Sequence, residues 1–328
     1  MRRALMLAVI ELASIGACDE STAPPDGPAS PWSSLALPDG RRRLEPAVTA
    51  SGTRLVIAGG YATGMTEGLQ ISNEVLVYDT LADAWSTLPP LPVTRHHGAL
   101  AASAGVLFAL GGLEDTSNTP SGRAFALELD GTEWIELPAM PAGQERGGAG
   151  VMVYPPHIYL LGGSNATGPL KTCLDFDIAT RTWGTCPDLP TARSHPAVMR
   201  DVEGDLILVG GLDDANRPLG DVWRLRPGAE LWEPRSAMVP SRGGCAFGVV
   251  FGSLLCAGGE AGASALDVTQ RYDPITDQWL DLTPMPVPRA GAQGAVIGGK
   301  LYVVGGAERI AFEPTDSVLV FSYVDAVR

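Results

Sequence analysis

Short apolar runs that end in two glycines recur along most of the chain. The pairs are Gly59-Gly60, Gly111-Gly112, Gly162-Gly163, Gly210-Gly211, Gly258-Gly259 and Gly305-Gly306. Consecutive pairs are 47 to 52 residues apart, and each apolar run is four or five residues long. Runs of that length suit strands that are buried on both faces. A repeat with a period near fifty residues predicts the blades of a β-propeller.

A tryptophan and an arginine mark a second position in each repeat. The tryptophans are Trp32, Trp85, Trp134, Trp183, Trp232 and Trp279, and the arginines that follow them are Arg42, Arg95, Arg146, Arg193, Arg242 and Arg289. The arginine comes ten residues after the tryptophan, except at Arg146, where the spacing is twelve. Every arginine precedes the next glycine pair by 16 or 17 residues. These spacings predict one structural unit repeated six times.

A third mark is a strand that ends in an aromatic residue and an aspartate shortly before the tryptophan. It occurs at Tyr78-Asp79, Phe176-Asp177 and Tyr272-Asp273. Together the three marks resemble the Kelch repeat over residues 32 to 324. The resemblance implies an all-β fold, a six-bladed β-propeller in which each blade has four strands, a to d.

The two ends of the repeat array complement each other. The last repeat has apolar strands up to Phe321 but no tryptophan strand after them, whereas Trp32 to Pro38 is a tryptophan strand without a blade of its own. We expect this N-terminal outer strand to complete the sixth blade and close the ring, which removes free strand edges.

The residues before Trp32 follow a different pattern. A basic start at Arg2 and Arg3 precedes a mainly apolar run and then Ile15-Gly16-Ala17-Cys18. This order predicts a lipoprotein-type signal peptide over residues 1–17, with Cys18 as the lipidated residue and residues 18–31 as a flexible tether. The whole chain then resembles bacterial exported Kelch lipoproteins, anchored in the cell envelope on the periplasmic or outer side. Glu11 interrupts the apolar run, so a simple secretory signal or a cytoplasmic tail remains open.

The net charge limits the kinds of molecule that we expect this chain to bind. The formal net charge is -14, which repels the phosphates of nucleic acids and excludes them as partners. We expect membrane contact only through the lipid anchor, a monomeric chain, and an envelope protein or glycan as the partner.

Four cysteines lie within the repeats. Around the turn of the third blade, Cys173 on strand c faces Cys186 on strand d, so we predict a disulfide between them. Cys245 and Cys256 lie on strands a and b of the fifth blade, in a diagonal rather than opposed register that disfavours a bridge. Neither pair has the Cys-x-x-Cys spacing of zinc or redox sites.

His97 and His195 occupy the same repeat position, two residues after the arginine, in loops that join strand d to the next strand a. In Kelch propellers the face that carries these loops is the usual ligand surface. The resemblance therefore gives the candidate ligand residues Arg95, His97, Arg146, Arg193, His195, Arg242, Glu260 and Arg289. The structural alternative is that these side chains hold the loops by hydrogen bonds.

The chain has no nucleophile elbow, phosphate-binding loop, dinucleotide fingerprint or zinc-protease motif. We expect no cofactor and no metal, and interpret the chain as a non-enzymatic Kelch propeller that binds a protein or a glycan. The alternative is a sugar-active enzyme, because the chain resembles bacterial N-acetylneuraminate epimerases in size, blade number and exported location. In that case Glu260 would act as the acid, and Arg242 or Arg289 would hold the substrate.

Overall fold

The computed structural model describes residues 30–63 and 69–323, which form β-strands joined by turns and one short 3-10 helix, Pro38–Gly40. The predicted signal peptide, the lipidation site Cys18 and the tether up to residue 29 lie outside the described residues. Among the described residues, no helix is long and apolar enough to cross a bilayer.

Six antiparallel sheets of four strands follow one another along the chain, and neighbouring strands pair in the order a, b, c, d. Blade 1 consists of Ala47–Ser51, Arg54–Ala58, Val75–Asp79 and Ala84–Leu88. Blade 2 consists of Ala99–Ser103, Val106–Leu110, Ala124–Glu128 and Ile135–Leu137. Blade 3 consists of Gly150–Tyr154, His157–Leu161, Cys173–Asp177 and Thr182–Cys186. Blade 4 consists of Ala197–Arg200, Leu206–Leu212, Pro218–Leu225 and Glu233–Arg235. Blade 5 consists of Ala246–Val250, Ser253–Ala257, Thr269–Asp273 and Gln278–Leu282. Blade 6 consists of Gln293–Ile297, Lys300–Val304, Ser317–Ser322 and Trp32–Ala36. The predicted all-β, six-bladed propeller is confirmed.

The a strands lie innermost, and each contacts the a strands of both neighbouring blades, so that the six form a ring. Small residues are required there because the strands crowd the axis. A Cβ on Gly150 would come within 2.6 Å of Val198, and a Cβ on Gly248 within 2.5 Å of Val296. The apolar core consists of clusters that fill the spaces between adjacent blades.

The first described strand completes the sixth blade. Trp32–Ala36 pairs antiparallel with Ser317–Ser322, with Trp32 opposite Phe321. The Trp32 indole is 8% exposed and donates a hydrogen bond to the carbonyl of Thr283, which follows the last strand of blade 5. The N-terminal strand therefore links the beginning of the propeller to both of its last two blades.

Four of the other five repeat tryptophans act in the same way. Trp134, Trp183, Trp232 and Trp279 each donate an indole hydrogen bond of 2.8 to 2.9 Å to a backbone carbonyl about 45 residues earlier. Each bond joins one blade to the segment that leaves the preceding blade. The tryptophans thus join blades as well as filling the space between them.

The glycine pairs meet the segment that enters the next blade. Gly59 has a φ of 64°, and a Cβ there would lie 2.4 Å from the carbonyl oxygen of Arg95. The amide of Gly60 donates to that same carbonyl at 2.8 Å. Only glycine permits both the left-handed backbone and this close approach.

In the first repeat the structure moves the arginine position by one residue. Arg42 is exposed, whereas Arg43 is 1% exposed and its carbonyl accepts the amide of Gly306, as Arg95 accepts that of Gly60. Arg43 also precedes Gly59 by 16 residues, the spacing of most other repeats. The sequence-based choice of Arg42 was therefore wrong by one position.

Both cysteine pairs are bonded in the structure. Cys173 lies directly opposite Cys186 with their Cα atoms 5.1 Å apart, in the register that the sequence analysis used. Cys245 and Cys256 are also joined, with Cα atoms 5.6 Å apart, although the register of their strands is diagonal as expected. The expectation against this second bridge was wrong because a diagonal pair at the entry to a strand still lies within disulfide reach.

Candidate functional site

The site is built on one repeated position, the second residue after each buried arginine. It is occupied by Glu45, His97, Gly148, His195, Gly244 and Gly291. All six residues have a φ between 52° and 63°, in the left-handed region. Five of their amides donate a hydrogen bond of 2.7 to 3.1 Å to the carbonyl of the equivalent residue in the preceding blade. The six loops therefore form a backbone ring around the propeller axis.

Three of these six residues carry side chains, and the side chains meet at the axis. Their possible metal-ligating atoms, one each from Glu45, His97 and His195, all lie within 4.8 Å of one another. Nε2 of His97 is 3.6 Å from Oε2 of Glu45, and the rings of the two histidines are 5.1 Å apart between centroids. The glycines at the other three positions leave room for these side chains.

Two cavities share these three side chains as a wall. A cavity of about 580 Å³ opens on the face that carries the loops from strand d to strand a and from strand b to strand c. A second cavity of about 450 Å³ lies between the a strands. Glu45, His97 and His195 line both, and the side chains of Glu45 and His97 are only 13% and 17% exposed. They therefore form a polar constriction in the central channel. We call the first of the two cavities the axial cavity.

Burial sets the protonation of the constriction. It lowers the pKa of His97 to about 3, helped by the neighbouring His96, and it lowers the pKa of His195 to about 4. Both imidazoles are therefore neutral at neutral pH. Burial also raises the pKa of Glu45 above its ordinary value, which the nearby histidines partly oppose. The constriction thus holds one carboxyl group and two neutral imidazoles.

Hydrogen bonds outside the constriction fix the orientation of the imidazoles. Nε2 of His96 lies 3.0 Å from the carbonyl oxygen of Asp115, so this nitrogen carries the proton and Nδ1 of neutral His96 is an acceptor. Nδ1 of His97 contacts that acceptor and must donate to it. Nε2 of His97, which faces Glu45, is then an unprotonated nitrogen.

His195 is held by one of its two ring nitrogens. Its Nδ1 lies 3.0 Å from the hydroxyl oxygen of Ser194, which can donate or accept, and its Nε2 is buried and has no hydrogen-bond partner among the described residues. This nitrogen is therefore available to a hydrogen-bond donor or a metal ion.

Glu260 follows the fifth glycine pair and lines the axial cavity near the constriction. Burial, and then the charge of Glu45, raises the pKa of Glu260 to about 7. This carboxyl group is therefore poised to gain or lose a proton near neutral pH.

The rest of the axial cavity is polar with an apolar edge. Asp213 and Asp214 line it on one side, and among the described lining residues Arg309 is the one permanent cation, paired with Glu313 at 2.8 Å. Three amide side chains also line it: Asn118, Asn165 and Asn216. Phe312, which is 67% exposed, stands at the mouth.

The candidate ligand residues divide into two groups. His97, His195 and Glu260 come together at the axial cavity. The five arginines do not line it: Arg95, Arg146, Arg193, Arg242 and Arg289 are each at most 2% exposed. Three of them, Arg95, Arg146 and Arg193, donate to the first glycine carbonyl of the next pair at 2.6 to 2.9 Å. These three arginines therefore hold loops together through hydrogen bonds to main-chain carbonyls.

Glu45 was missed by the sequence analysis. The residue lies at the same repeat position as His97 and His195, but the assignment of Arg42 to the repeat placed that position one residue too early. The 16-residue spacing from Arg43 to Gly59 is the signal that identifies it. The expectation of no metal was made without this third ligating group.

Fold and site together define a six-bladed propeller with a polar cavity on its axis. Residues 45–238 match the family described as the KLHDC2/KLHL20/DRC7 Kelch-repeats domain, and residues 241–286 match the Kelch motif. The chain belongs to the Kelch-repeat family.

Several known proteins are similar to the chain. Kelch-like protein terF of Aspergillus terreus is 29% identical over 80% of this chain and 61% of its own length. Kelch-like protein 40 of Xenopus tropicalis is 27% identical over 65% of this chain and 36% of its own length. The chain thus matches less than two thirds of either relative. The solved structure of YjhT superposes with a TM-score of 0.72 at 17% identity, covering 87% of this chain and 95% of that one, which supports the fold alone.

Proposed function

We propose that this protein is a glycan-binding Kelch module of the bacterial cell envelope, held there by a lipid on Cys18, that takes a terminal sugar into the axial cavity. The observation that carries the proposal is the lining of that cavity, in which carboxyl, amide and imidazole groups surround about 580 Å³ beneath an exposed aromatic ring. A volume of that size is typical of sites for small ligands.

The chemistry of the lining suits sugar hydroxyl groups. Carboxylates and amide oxygens accept hydrogen bonds from hydroxyls, and amide N–H groups donate to them. The ring of Phe312 at the mouth offers an apolar surface for the C–H face of a sugar. Because carboxylates such as Asp214 and Glu260 outnumber the one paired cation, Arg309, we expect neutral or amino sugars to bind better than acidic ones.

A sugar screen on the full chain tests this proposal. Glucose, galactose, N-acetylglucosamine and N-acetylneuraminate are titrated into the protein by calorimetry. We expect at least one of the three neutral sugars, glucose, galactose and N-acetylglucosamine, to bind, and N-acetylneuraminate to bind more weakly. The variant Phe312→Ala should weaken binding about 10-fold, which corresponds to about 1.4 kcal/mol for a lost stacking contact.

Phe251→Ala is the matched control. Phe251 is 76% exposed and lies in the turn between strands a and b of blade 5, at the other face of the propeller. Its loss should leave sugar binding unchanged. Failure of all four sugars to bind, together with recovery of a protein partner that depends on Phe312, would replace the glycan with a protein ligand.

One observation favours a second function, chemistry on a bound sugar. A carboxyl group with a pKa of about 7 in a cavity can act as a general acid or base at neutral pH. NMR spectra of a bound sugar over time separate the two functions. Conversion that Glu260→Gln abolishes while binding persists would establish an enzyme, whereas an unchanged sugar supports the binding module.

A further inference from the structure

We propose that Glu45, His97 and His195 form a three-ligand site for a divalent transition metal ion of the Zn²⁺ class, at the constriction between the axial cavity and the cavity between the a strands. This site goes beyond glycan binding and does not depend on it. It uses the three side chains that the six-fold backbone ring directs to the axis.

The donor set has the composition of known metal sites. Two imidazoles and one carboxylate are a common set for Zn²⁺ and for other first-row divalent ions, and such sites keep at least one position open. All three residues line the axial cavity as well as the cavity between the a strands, so an open position on the ion can be reached from the axial cavity. An ion bound there is therefore accessible to solvent and to small ligands.

The distances suit an ion after small side-chain rotations. Ligand atoms at about 2.0 to 2.2 Å from a tetrahedral ion lie about 3.3 to 3.6 Å from one another. Nε2 of His97 and Oε2 of Glu45 are already 3.6 Å apart, and no pair in the cluster exceeds 4.8 Å. The backbone ring holds the three Cα positions in place, so little ordering is left for metal binding to impose.

The hydrogen bonds around the site leave the correct atoms free. His97 donates from Nδ1 to His96, whose Nε2 donates to the carbonyl of Asp115. This chain holds Nε2 of His97 unprotonated and turned toward Glu45, where a carboxylate and a nitrogen lone pair face each other at 3.6 Å. Two such acceptors repel unless a proton or a metal ion lies between them. An outer chain of this kind is typical of histidine ligands.

His195 supplies the second nitrogen in the tautomer whose Nδ1 donates to the hydroxyl of Ser194. Its Nε2 is buried and has no hydrogen-bond partner among the described residues.

The experiment is a metal titration of the untagged full chain after treatment with a chelator. Zn²⁺ alone is added and followed by calorimetry, and Co²⁺ alone is added and followed by its visible absorption. We expect one ion per chain and the intense visible bands of four-coordinate Co²⁺. The proposal is overturned if neither ion binds with a stoichiometry of one.

The variants identify the ligands. His97→Asn, His195→Asn and Glu45→Gln should each weaken Zn²⁺ binding by at least about 10-fold. Asparagine is chosen because it tolerates the left-handed backbone at these positions. The matched control is His157→Asn, since His157 pairs with Asp175 on blade 3 and does not line the axial cavity.

Two further outcomes decide the assignment. If Zn²⁺ binds equally well to the chain and to all three ligand variants, the ion binds elsewhere and the proposal is wrong. If a histidine variant fails to fold, the Co²⁺ spectrum of the unmodified chain is compared with that of Glu45→Gln. Bands typical of imidazole and carboxylate ligation that change in Glu45→Gln support this site, and bands that do not change exclude it. Sugar binding is measured separately in chelator, so that failure of either proposal leaves the other intact.

Discussion

Replacing Glu260 with glutamine should stabilise the protein at alkaline pH and leave its stability nearly unchanged at acidic pH. In the folded chain, burial and the nearby Glu45 raise the pKa of Glu260 from its ordinary 4.5 to about 7. In the unfolded chain the carboxyl group ionises near its ordinary value. Between these two values the folded protein keeps a proton that the unfolded chain has lost, so the free energy of unfolding falls as the pH rises.

The size of the effect follows from the two pKa values. A difference of one pKa unit corresponds to about 1.4 kcal/mol, so the ionised carboxylate of Glu260 costs the fold at most about 3 kcal/mol well above pH 7. Glutamine has nearly the same shape and does not ionise. The variant should therefore regain this free energy at alkaline pH only.

Urea unfolding in the presence of a chelator measures the effect, at unit steps from about pH 5 to about pH 9. The difference in free energy of unfolding between Glu260→Gln and the unmodified chain should grow from about 1 kcal/mol to about 3 kcal/mol over this range. Glu133→Gln is the control, because Glu133 is exposed in a turn of blade 2 at the other face. A difference that stays constant with pH would refute the assigned environment of Glu260.

Three further predictions concern stability. Trp32→Ala should lower the free energy of unfolding by about 3 to 5 kcal/mol in urea, because a buried indole and its bond to blade 5 are lost; an unchanged midpoint would contradict the closing role of the strand. Gly59→Ala should destabilise the protein far more than Gly52→Ala, because both positions have positive φ but only at Gly59 would the added Cβ lie 2.4 Å from a carbonyl oxygen. Equal unfolding midpoints would exclude this clash. Replacing Cys173 and Cys186 by serine should cost about 2 to 4 kcal/mol more under oxidising conditions than after reduction of both proteins, and an equal cost in the two conditions would exclude a stabilising bridge.

The fold was predictable because its signals repeat. The second glycine of every pair donates to a carbonyl of the next repeat, and five of the six tryptophans donate to a carbonyl of the preceding blade, so single deviations do not hide the period. The register of Cys173 and Cys186 was predictable for the same reason, since the turn between their strands has four residues, as in blades 1 and 5. The leader and Cys18 lie outside the described residues and stay predictions.

The site was only partly predictable because it depends on the exceptions to the repeat. His97 and His195 were found through their shared position, and Glu260 through its glycine pair. Glu45 was missed because the sequence analysis assigned the repeat arginine to Arg42 and not to Arg43. The pairing of Cys245 with Cys256 depends on a Cα distance that strand register alone does not determine.

The backbone ring separates what the propeller recognises from what makes it fold. Its six positions contribute hydrogen bonds through their main chains, so their side chains can diverge while the blades keep their cores. Gly148 and Gly291 have no space for a side chain, since added Cβ atoms would meet His195 at 3.0 Å and Leu44 at 2.5 Å. Gly244 is different, because its nearest neighbours would be 3.8 and 3.9 Å away. A single codon change there could add a new side chain to the axis, which makes this position an entry point for evolution or design of a different specificity.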